Sequence, residues 1–261
     1  MSERTPRRVR LDELIVQRGL APDVDQALRL LMAGEVRVGE GDGARVDRKP
    51  GEQVDPRTAV ELVARPRFVS RGGEKLDAAL EAFAIDVSGR TCLDMGASTG
   101  GFSDALLRRG AARVYALDVG RGQLAEVLRR DPRVVSMERT HASRLDPSAA
   151  DRVTLPEPVS LAVIDVSFIS LTRVLAGVLA ALTGETEIVA LVKPQFEAAP
   201  ADAPRGVVRD PTVQRAAVER VIDHARSLGL RVLGEIESPL RGPAGNREFL
   251  VYFGRPQLGR A

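Results

Sequence analysis

The spacing of the hydrophobic residues changes near residue 70 and divides the chain into two parts. In the first part, Leu11, Leu14 and Ile15 recur at the spacing of one helix face, and Gly19 follows where a C-terminal cap is expected. This pattern predicts a short amphipathic helix at the start of the chain.

A second helix and several short strands follow. The helix ends at Gly34, and either Asp23 or Asp25 caps its N-terminus. Alternating valines interrupted by a glycine-rich turn predict a hairpin and a further strand, formed by Val36, Val38 and Val46, then by Val60, Leu62 and Val63. These elements predict a small α+β unit over residues 8–64, followed by a proline-containing linker over residues 65–70.

In the second part, residues 71–254, apolar strands alternate with amphipathic helices. The seven predicted strands are Thr91–Asp94, Val114–Asp118, Val134–Met137, Leu161–Asp165, Ile188–Lys193, Val232–Glu237 and Glu248–Phe253. The predicted helices lie near residues 74–84, 102–109, 121–129, 170–182 and 212–228. Crossover helices between strands indicate a parallel sheet covered on both faces. The last two strands lack a helix between them and are expected to pair antiparallel at one edge, so the pattern predicts an α/β, Rossmann-like fold with a seven-stranded, mostly parallel sheet.

The composition is that of a soluble globular protein, with 44% hydrophobic and 28% charged residues. Cys92 is the sole cysteine, which excludes a disulfide framework and disfavours a cysteine-based zinc site; no metal is expected. The longest uncharged apolar stretch, Val174–Gly184, is about half of what a membrane span needs. The N-terminus lacks the apolar core of a secretory signal. We therefore expect a cytoplasmic protein without membrane contact.

The basic side chains are almost all arginine: of 38, three are lysine, at positions 49, 75 and 193. A bias toward arginine leaves lysine where a point charge or an adjustable pKa is needed, because the two side chains are not interchangeable. The net charge is only +2, and residues 1–65 carry 12 basic and 12 acidic side chains. Binding of a polyanion therefore depends on arginines that cluster on one face.

A glycine-rich loop follows the first strand of the second part and opens a helix. Glycines there let a ligand approach the backbone, and Asp118 ends the next strand, where a carboxylate can hold two ribose hydroxyls. The loop lacks a phosphate-binding lysine and the dinucleotide spacing, whereas Asp94 before the glycines is typical of S-adenosylmethionine sites. A tight turn without a ligand is the alternative. The predicted cofactor residues are Asp94, Gly96, Ala97, Ser98, Thr99, Gly100, Gly101, Phe102 and Asp118.

Two charged residues end strands that are expected to be neighbours in the sheet. Asp165 and Lys193 each close an apolar strand, so their side chains are expected to pair above the cofactor crevice. A purely structural ion pair is the alternative. Lys75, at the start of a helix, and Glu248, at the start of the last strand, are each typical of surface charges when taken alone.

Taken together, these four residues resemble the K-D-K-E tetrad of the FtsJ/RrmJ class of RNA ribose 2′-O-methyltransferases. Six stretches of the chain resemble the TlyA family more closely, a family described as hemolysin or ribosomal RNA 2′-O-methyltransferase. They cover residues 68–76, 93–102, 165–171, 192–197, 206–210 and 246–249. The resemblance implies a methyltransferase domain dependent on S-adenosylmethionine over residues 71–254, preceded by an S-four type RNA-binding domain over residues 8–64.

The resemblance also implies roles for the charged residues. Lys193 is the central group, and it stabilises the developing alkoxide of a ribose or accepts its proton; arginine can do only the first. Asp165 orients Lys193, while Lys75 and Glu248 position the ribose. Lys193 therefore has two alternative roles, general base or electrostatic stabiliser. His141, where the family has asparagine, is expected to contact adenine.

The implied partner is ribosomal RNA or a ribosomal subunit, methylated at a cytidine of the small or large subunit by a monomeric enzyme. Arginine contacts to phosphates bind structured RNA by its shape, and Arg205 with Arg209 is expected to line the substrate cleft. Solvated arginines balanced by acids are the alternative. The predicted RNA-binding residues are Arg7, Arg8, Arg10, Arg18, Arg29, Arg37, Arg71 and Arg209.

Three other functions fit parts of the sequence. A non-catalytic RNA-binding or ribosome-assembly factor predicts a broken tetrad, whereas all four residues are present. A pore-forming hemolysin needs a membrane segment, which the sequence lacks. A small-molecule methyltransferase has no use for residues 1–65.

Overall fold

The computed structural model describes residues 8–32, 34–41, 44–46, 48–63, 67–145, 148–182 and 187–255. The chain forms two compact units, Met1–Pro66 and Arg67–Ala261. Arg7 and residues 65 and 66 of the predicted linker lie outside the described residues. No helix within the described ranges combines the length and the apolar character needed to cross a bilayer.

The first unit contains two helices and two small antiparallel sheets. Its elements are β1 (Val9–Arg10), α1 (Leu11–Gln17), α2 (Val24–Met32), β2 (Val36–Val38), β3 (Gln53–Val54) and β4 (Val60–Leu62). Strand β1 pairs with β3, and β2 pairs with β4. The predicted hairpin is confirmed in part: Val38 and Arg45 form one antiparallel bridge, whereas Val46 is exposed and lies outside every strand of the described residues.

The apolar faces of α1 and α2 form the core of the first unit together with valines of the strands. Its buried members are Leu11, Leu14, Ile15, Ala21, Ala27, Leu31, Val36, Val38 and Val54. The Asp23 carboxylate accepts a hydrogen bond from the amide of Gln26 at 2.7 Å. Asp23, rather than Asp25, therefore caps α2, and both predicted helices are confirmed.

The second unit is built around a seven-stranded sheet. Its strands are β5 (Thr91–Met95), β6 (Arg113–Leu117), β7 (Val134–Met137), β8 (Leu161–Ile164), β9 (Glu187–Val192), β10 (Arg231–Glu237) and β11 (Phe249–Gly254). The order in the sheet is β10-β11-β9-β8-β5-β6-β7. Strand β11 runs antiparallel to β9 and β10, and the remaining neighbours are parallel. The predicted α/β fold with an antiparallel edge is confirmed.

Helices cover both faces of this sheet, over two separate apolar clusters. They are α3 (Gly72–Ala82), α4 (Gly101–Arg108), α5 (Glu126–Arg129), α6 (Leu175–Ala181), α7 (Pro194–Glu197) and α8 (Pro211–Ser227). The helix predicted over 121–129 is reduced to α5, because Gly122 has a φ of 68° that a right-handed helix does not accept. The helix predicted over 170–182 begins as a separate 3-10 turn, Leu171–Arg173. The short helix α7 was not predicted.

The carboxyl edge of the sheet brings distant residues together. Because β5, β6, β8 and β9 are parallel, all four end at this edge. Strand β11 is antiparallel to β9, with Phe249 opposite Val192, so β11 begins where β9 ends. The residue just before β11 therefore lies beside the residues that follow β8 and β9.

Candidate active site

Glycines shape the loop between β5 and α4. Gly96 and Gly100 have φ values of 89° and 94°, in the left-handed region that favours glycine. A Cβ on Gly96 would lie 2.5 Å from the backbone oxygen of Asp165, and a Cβ on Gly100 would collide with the Leu128 side chain. Gly96 therefore leaves space for the loop that follows β8, and Gly100 allows the N-terminus of α4 to pack against α5.

Asp94, near the end of β5, is buried beneath this loop. Its Oδ2 accepts a hydrogen bond from Ser103 Oγ at 2.6 Å, whereas Oδ1 has no hydrogen-bond partner among the described residues. Removal from water raises the pKa of Asp94 to about 7; the Ser103 hydrogen bond opposes the rise, and the charge of Asp165 adds to it. A buried carboxylate with an open acceptor fits a cation bound nearby, such as a sulfonium.

Asp118 directly follows β6 and faces the same loop. Its carboxylate accepts hydrogen bonds from the amides of Ser98, at 2.8 Å, and Gly120, at 2.6 Å. A crevice of about 10 Å³ beside it is also lined by Gln123 and Glu138. This volume suits about one water molecule.

His141 does not line this crevice. Its ring Nδ1 lies 2.9 Å from Ser143 Oγ and accepts a hydrogen bond from the Ser143 amide, so the exposed imidazole caps the 3-10 helix Ala142–Leu145. Glu138, which was not predicted, lies in the crevice instead. Its signal was present, because Glu138 follows β7 in the same way that Asp118 follows β6.

A cavity of about 840 Å³ lies at the carboxyl edge of β8 and β9, and all four residues of the predicted tetrad line it. They form two ion pairs. Lys75 Nζ is 2.5 Å from Glu248 Oε2, and both side chains are buried. Lys193 Nζ is 2.6 Å from Asp165 Oδ1, so the pairing predicted from the strand ends is confirmed. That contact lacks hydrogen-bond alignment, and Lys193 donates to Ser167 Oγ at 2.8 Å.

Close packing brings the buried pair together. Lys75 lies in the first turn of α3, and that turn requires Gly73 because a Cβ there would collide with the ring of Phe68. A Cβ on Gly242 would collide with Glu248 Oε1. Gly73 therefore lets the first turn of α3 pack against Phe68, and Gly242 lets the backbone approach the Glu248 carboxylate.

Asn246 fixes the loop that precedes Glu248, and the sequence analysis did not assign it a role. Its Oδ1 accepts from the amide of Val208 at 2.9 Å, and its Nδ2 donates to the carbonyl of Gly206 at 2.8 Å. Both ends of this buried amide are thereby satisfied. The side chain joins the segment before α8 to the start of β11.

A buried carboxylate links the two loops that carry Asp165 and Lys193. Glu197, at the end of α7, accepts hydrogen bonds from Ser170 Oγ at 2.6 Å and from the Leu171 amide at 2.8 Å. Burial raises the pKa of Glu197, and these two hydrogen bonds oppose the rise. Glu197 was not predicted, because a glutamate in a four-residue helix gives no sign of burial in the sequence.

Two phenylalanines form the aromatic part of the cavity wall, and neither was predicted. Phe168 is 90% exposed and has a φ of 64°. Its ring centroid lies 5.2 Å from that of Phe196. A large apolar side chain held in water by a strained backbone is unusual in a folded domain, and such residues cluster at functional sites.

Three exposed arginines stand around the cavity: Arg71, Arg205 and Arg241. Arg71 donates a hydrogen bond to the backbone oxygen of Arg241 at 2.7 Å. Of the other predicted cleft residues, Arg209 is exposed but does not line the cavity. Arg205 was expected at the cleft, whereas Arg241 was missed.

The predicted arginines of the first unit are exposed wherever they are described. Arg18 and Arg37 line one groove of about 590 Å³. All five of these described arginines make contacts within the unit: Arg8 with the Gln53 carbonyl, Arg10 with Asp12, Arg18 with the Pro56 carbonyl, Arg29 with Gln26 and Arg37 with Glu61. The structure therefore brings two of these arginines together in a groove.

Comparison with known proteins defines the class of this site. Residues 68–255 match the FtsJ-like methyltransferase family. The sheet, the glycine loop and the paired charges thus belong to an FtsJ-like methyltransferase, and the cofactor of this class is S-adenosylmethionine. The open acceptor of Asp94 and the two glycines of the loop fit that cofactor.

Full-length relatives narrow the class, and the chain belongs to the TlyA family. It is 48% identical over 258 residues to the Mycobacterium tuberculosis protein named 16S/23S rRNA (cytidine-2′-O)-methyltransferase TlyA, covering 98% of this chain and 92% of that one. It is 37% identical to Hemolysin A of Brachyspira hyodysenteriae, covering 94% and 99%. A solved structure of a candidate hemolysin from Streptococcus thermophilus matches with a TM-score of 0.68 and 42% identity, over 95% of this chain and 89% of that one.

Proposed function

We propose that this protein transfers a methyl group from S-adenosylmethionine to the ribose 2′-hydroxyl of a cytidine in ribosomal RNA. The observation that carries the proposal is the meeting of two lysine–carboxylate pairs in one cavity beside the cofactor loop. The name and reaction of the Mycobacterium tuberculosis relative support the substrate. In this proposal the protein is a monomer that acts on ribosomal subunits in the cytoplasm.

Lys193 is the group proposed to act on the reacting hydroxyl. It follows β9 at the carboxyl edge, and its ammonium contacts Asp165 and Ser167. An ammonium carries three N–H donors, so a donor remains for the ribose oxygen. Asp165 holds Lys193 in the orientation that meets a developing alkoxide, which is charge stabilisation by a group already in place.

The Lys75–Glu248 pair is proposed to position the ribose. Both side chains are buried and line the same cavity, so the pair presents fixed charges to a bound nucleotide. Methyl transfer requires the donor carbon and the acceptor oxygen in line, and much of the acceleration comes from that alignment. Fixed side chains on α3 and before β11 serve this purpose better than flexible surface residues.

Capture of RNA is proposed to involve both units. A nucleotide in structured RNA reaches a cavity only after it leaves its stack, and Phe168 offers an exposed ring on which its base can stack. Arg71, Arg205 and Arg241 stand where the flanking phosphates would pass. The first unit, with Arg18 and Arg37 in one groove, serves as the S-four type RNA-binding domain.

The proposal is tested with tritiated S-adenosylmethionine and purified 30S and 50S ribosomal subunits, followed by digestion to nucleosides. We expect label in 2′-O-methylcytidine. Lys193→Ala and Lys193→Arg are the matched variants: both lower the rate by about 100-fold or more if Lys193 accepts the proton, whereas Arg retains part of the rate if charge alone matters. Label on a base, or no label on either subunit, contradicts the proposal.

A further inference from the structure

One amide in the cavity wall has no partner. Gln195 lies two residues after Lys193, in the first turn of α7, and lines the cavity. Its Oε1 is out of contact with water and has no hydrogen-bond partner, and no other hydrogen bond of Gln195 occurs within the described ranges. Burial of an unsatisfied carbonyl is costly, so the observation calls for a ligand that supplies the donor.

Asn246 provides the contrast within the same cavity wall. Both ends of its amide are engaged by backbone groups, so Asn246 has no capacity left for a ligand. The four charged residues of the tetrad are likewise engaged, in the Lys75–Glu248 and Lys193–Asp165 pairs. Gln195 is therefore the amide of this wall that remains open.

The surroundings of Gln195 have the features of a nucleobase-binding site. Phe196, the next residue, packs against the exposed Phe168, so an apolar ring surface lies beside the amide. A carboxamide carries a donor and an acceptor in one plane, and it reads the hydrogen-bonding edge of a base when the base face is stacked. Lys193, on the other side of Gln195 in the chain, serves the ribose.

We propose that Gln195 is the residue that selects cytosine at the target position. Its Oε1 accepts a hydrogen bond from the exocyclic amine of cytosine, and its Nε2 donates to the ring nitrogen N3. Against uracil the amide in this orientation sets acceptor against the O4 carbonyl and donor against the N3 proton, so uracil pairs only with an amide that has turned by about 180°. This inference rests on the proposed function and assigns base selection within it.

The test uses wild type and Gln195→Met, which keeps the length of the side chain and removes both hydrogen-bonding groups. The substrates are ribosomal subunits that carry either the mapped target cytidine or uridine at that position. Wild type is expected to prefer cytidine by about 10- to 100-fold in kcat/KM, and Gln195→Met to lose most of that preference through a lower rate on cytidine. Affinity for S-adenosylmethionine should stay unchanged in the variant.

The outcomes separate the two proposals. If wild type methylates cytidine and Gln195→Met keeps the same preference over uridine, whatever its overall rate, the assignment of Gln195 is wrong while the proposed function stands. A variant that slows equally on both substrates also counts against it, because a purely structural role acts in that way. If wild type methylates no ribose on either subunit, the proposed function fails and base selection by Gln195 fails with it.

Discussion

Lys75 and Glu248 form a buried ion pair across 173 positions of the sequence, with Nζ 2.5 Å from Oε2. The first turn of α3 holds one partner, and the approach to β11 holds the other. A buried pair adds little net stability compared with well-packed apolar residues, but removal of one partner leaves an unpaired charge in the interior. The stability of the fold and the arrangement of the site therefore depend on the same contact. A double-mutant cycle measures how strongly its two residues interact.

We predict that Lys75→Met lowers the free energy of unfolding by about 3–5 kcal/mol, because Glu248 is left buried without its cation. Glu248→Gln leaves Lys75 unpaired and should cost a similar amount. The double variant is expected to recover most of this loss. Urea unfolding followed by circular dichroism measures all three. A double variant as unstable as the sum of the single variants would show that the two residues do not interact.

The same double variant also tests the role of the pair in methylation. We expect it to fold but to transfer no methyl group, since the charges that position the ribose are gone. If the folded double variant transfers methyl groups, the role of Lys75 and Glu248 is purely structural. Arg226→Ala with Asp223→Ala, an exposed ion pair on α8, is the control, and it should change stability by less than about 1 kcal/mol.

Asp94 gives cofactor binding a pH dependence. Burial raises its pKa to about 7 in the free protein, so much of Asp94 is neutral below that pH. A sulfonium favours the ionised form, and affinity for S-adenosylmethionine should therefore rise with pH through about 7. S-adenosylhomocysteine has a neutral sulfur and should show a flatter profile. Isothermal titration between pH 6 and pH 8 measures both ligands, and parallel profiles would contradict the assignment.

Asp94 also affects the stability of the free protein. A folded-state pKa above the ordinary value contributes stability that is fully present below the ordinary pKa of about 4 and is lost as the pH rises through about 7. We expect Asp94→Asn to remove this decline, because an amide does not ionise. Thermal unfolding of wild type and variant at pH 5 and pH 8 tests the sign; a wild type that gains stability relative to Asp94→Asn at pH 8 would refute it.

The sheet and the Asp165–Lys193 half of the tetrad were accessible from short-range signals in the sequence, whereas Lys75 and Glu248 were identified only through the resemblance to a known family. An apolar strand that ends in a charge places that charge at the carboxyl edge, and for Asp165 and Lys193 this is enough to predict the contact. Asp118 follows the same rule. The rule also applied to Glu138, which was overlooked because the cofactor contact after the third strand was assigned to His141 instead.

Other parts of the site depend on tertiary packing that no local pattern encodes. Glu197 is buried only because α7 docks beside the turn at Ser170. Phe168 is exposed only because its backbone adopts a positive φ that phenylalanine seldom takes. The predicted hairpin is limited to one bridge for a related reason, since β2 pairs along its length with β4.

The exposed ring of Phe168 leads to a prediction about RNA alone. Phe168→Ala should lower kcat/KM for ribosomal subunits by about 10- to 100-fold, the range expected when one base loses an aromatic partner. Affinity for S-adenosylmethionine and the melting temperature should stay unchanged, because the side chain is 90% exposed. Leu233→Ala, at a half-exposed leucine of the edge strand β10, is the control and should be neutral. Equal effects of the two substitutions would show that Phe168 has no special contact with RNA.

Glu197 is predicted to position Asp165 and Lys193 through the loops that it joins. Glu197→Ala leaves the Leu171 amide and Ser170 hydroxyl without their acceptor, which should cost about 1–3 kcal/mol of stability and lower kcat with little change in affinity for S-adenosylmethionine. Glu197→Gln keeps an acceptor oxygen and should restore most of the rate. Because burial raises the pKa of Glu197, wild type loses stability as the pH rises through that pKa, and the advantage of Glu197→Gln should grow in the same direction. Turnover and urea unfolding at pH 5 and pH 8 measure both effects, and a glutamine variant as slow as the alanine variant would show that the carboxylate itself is required.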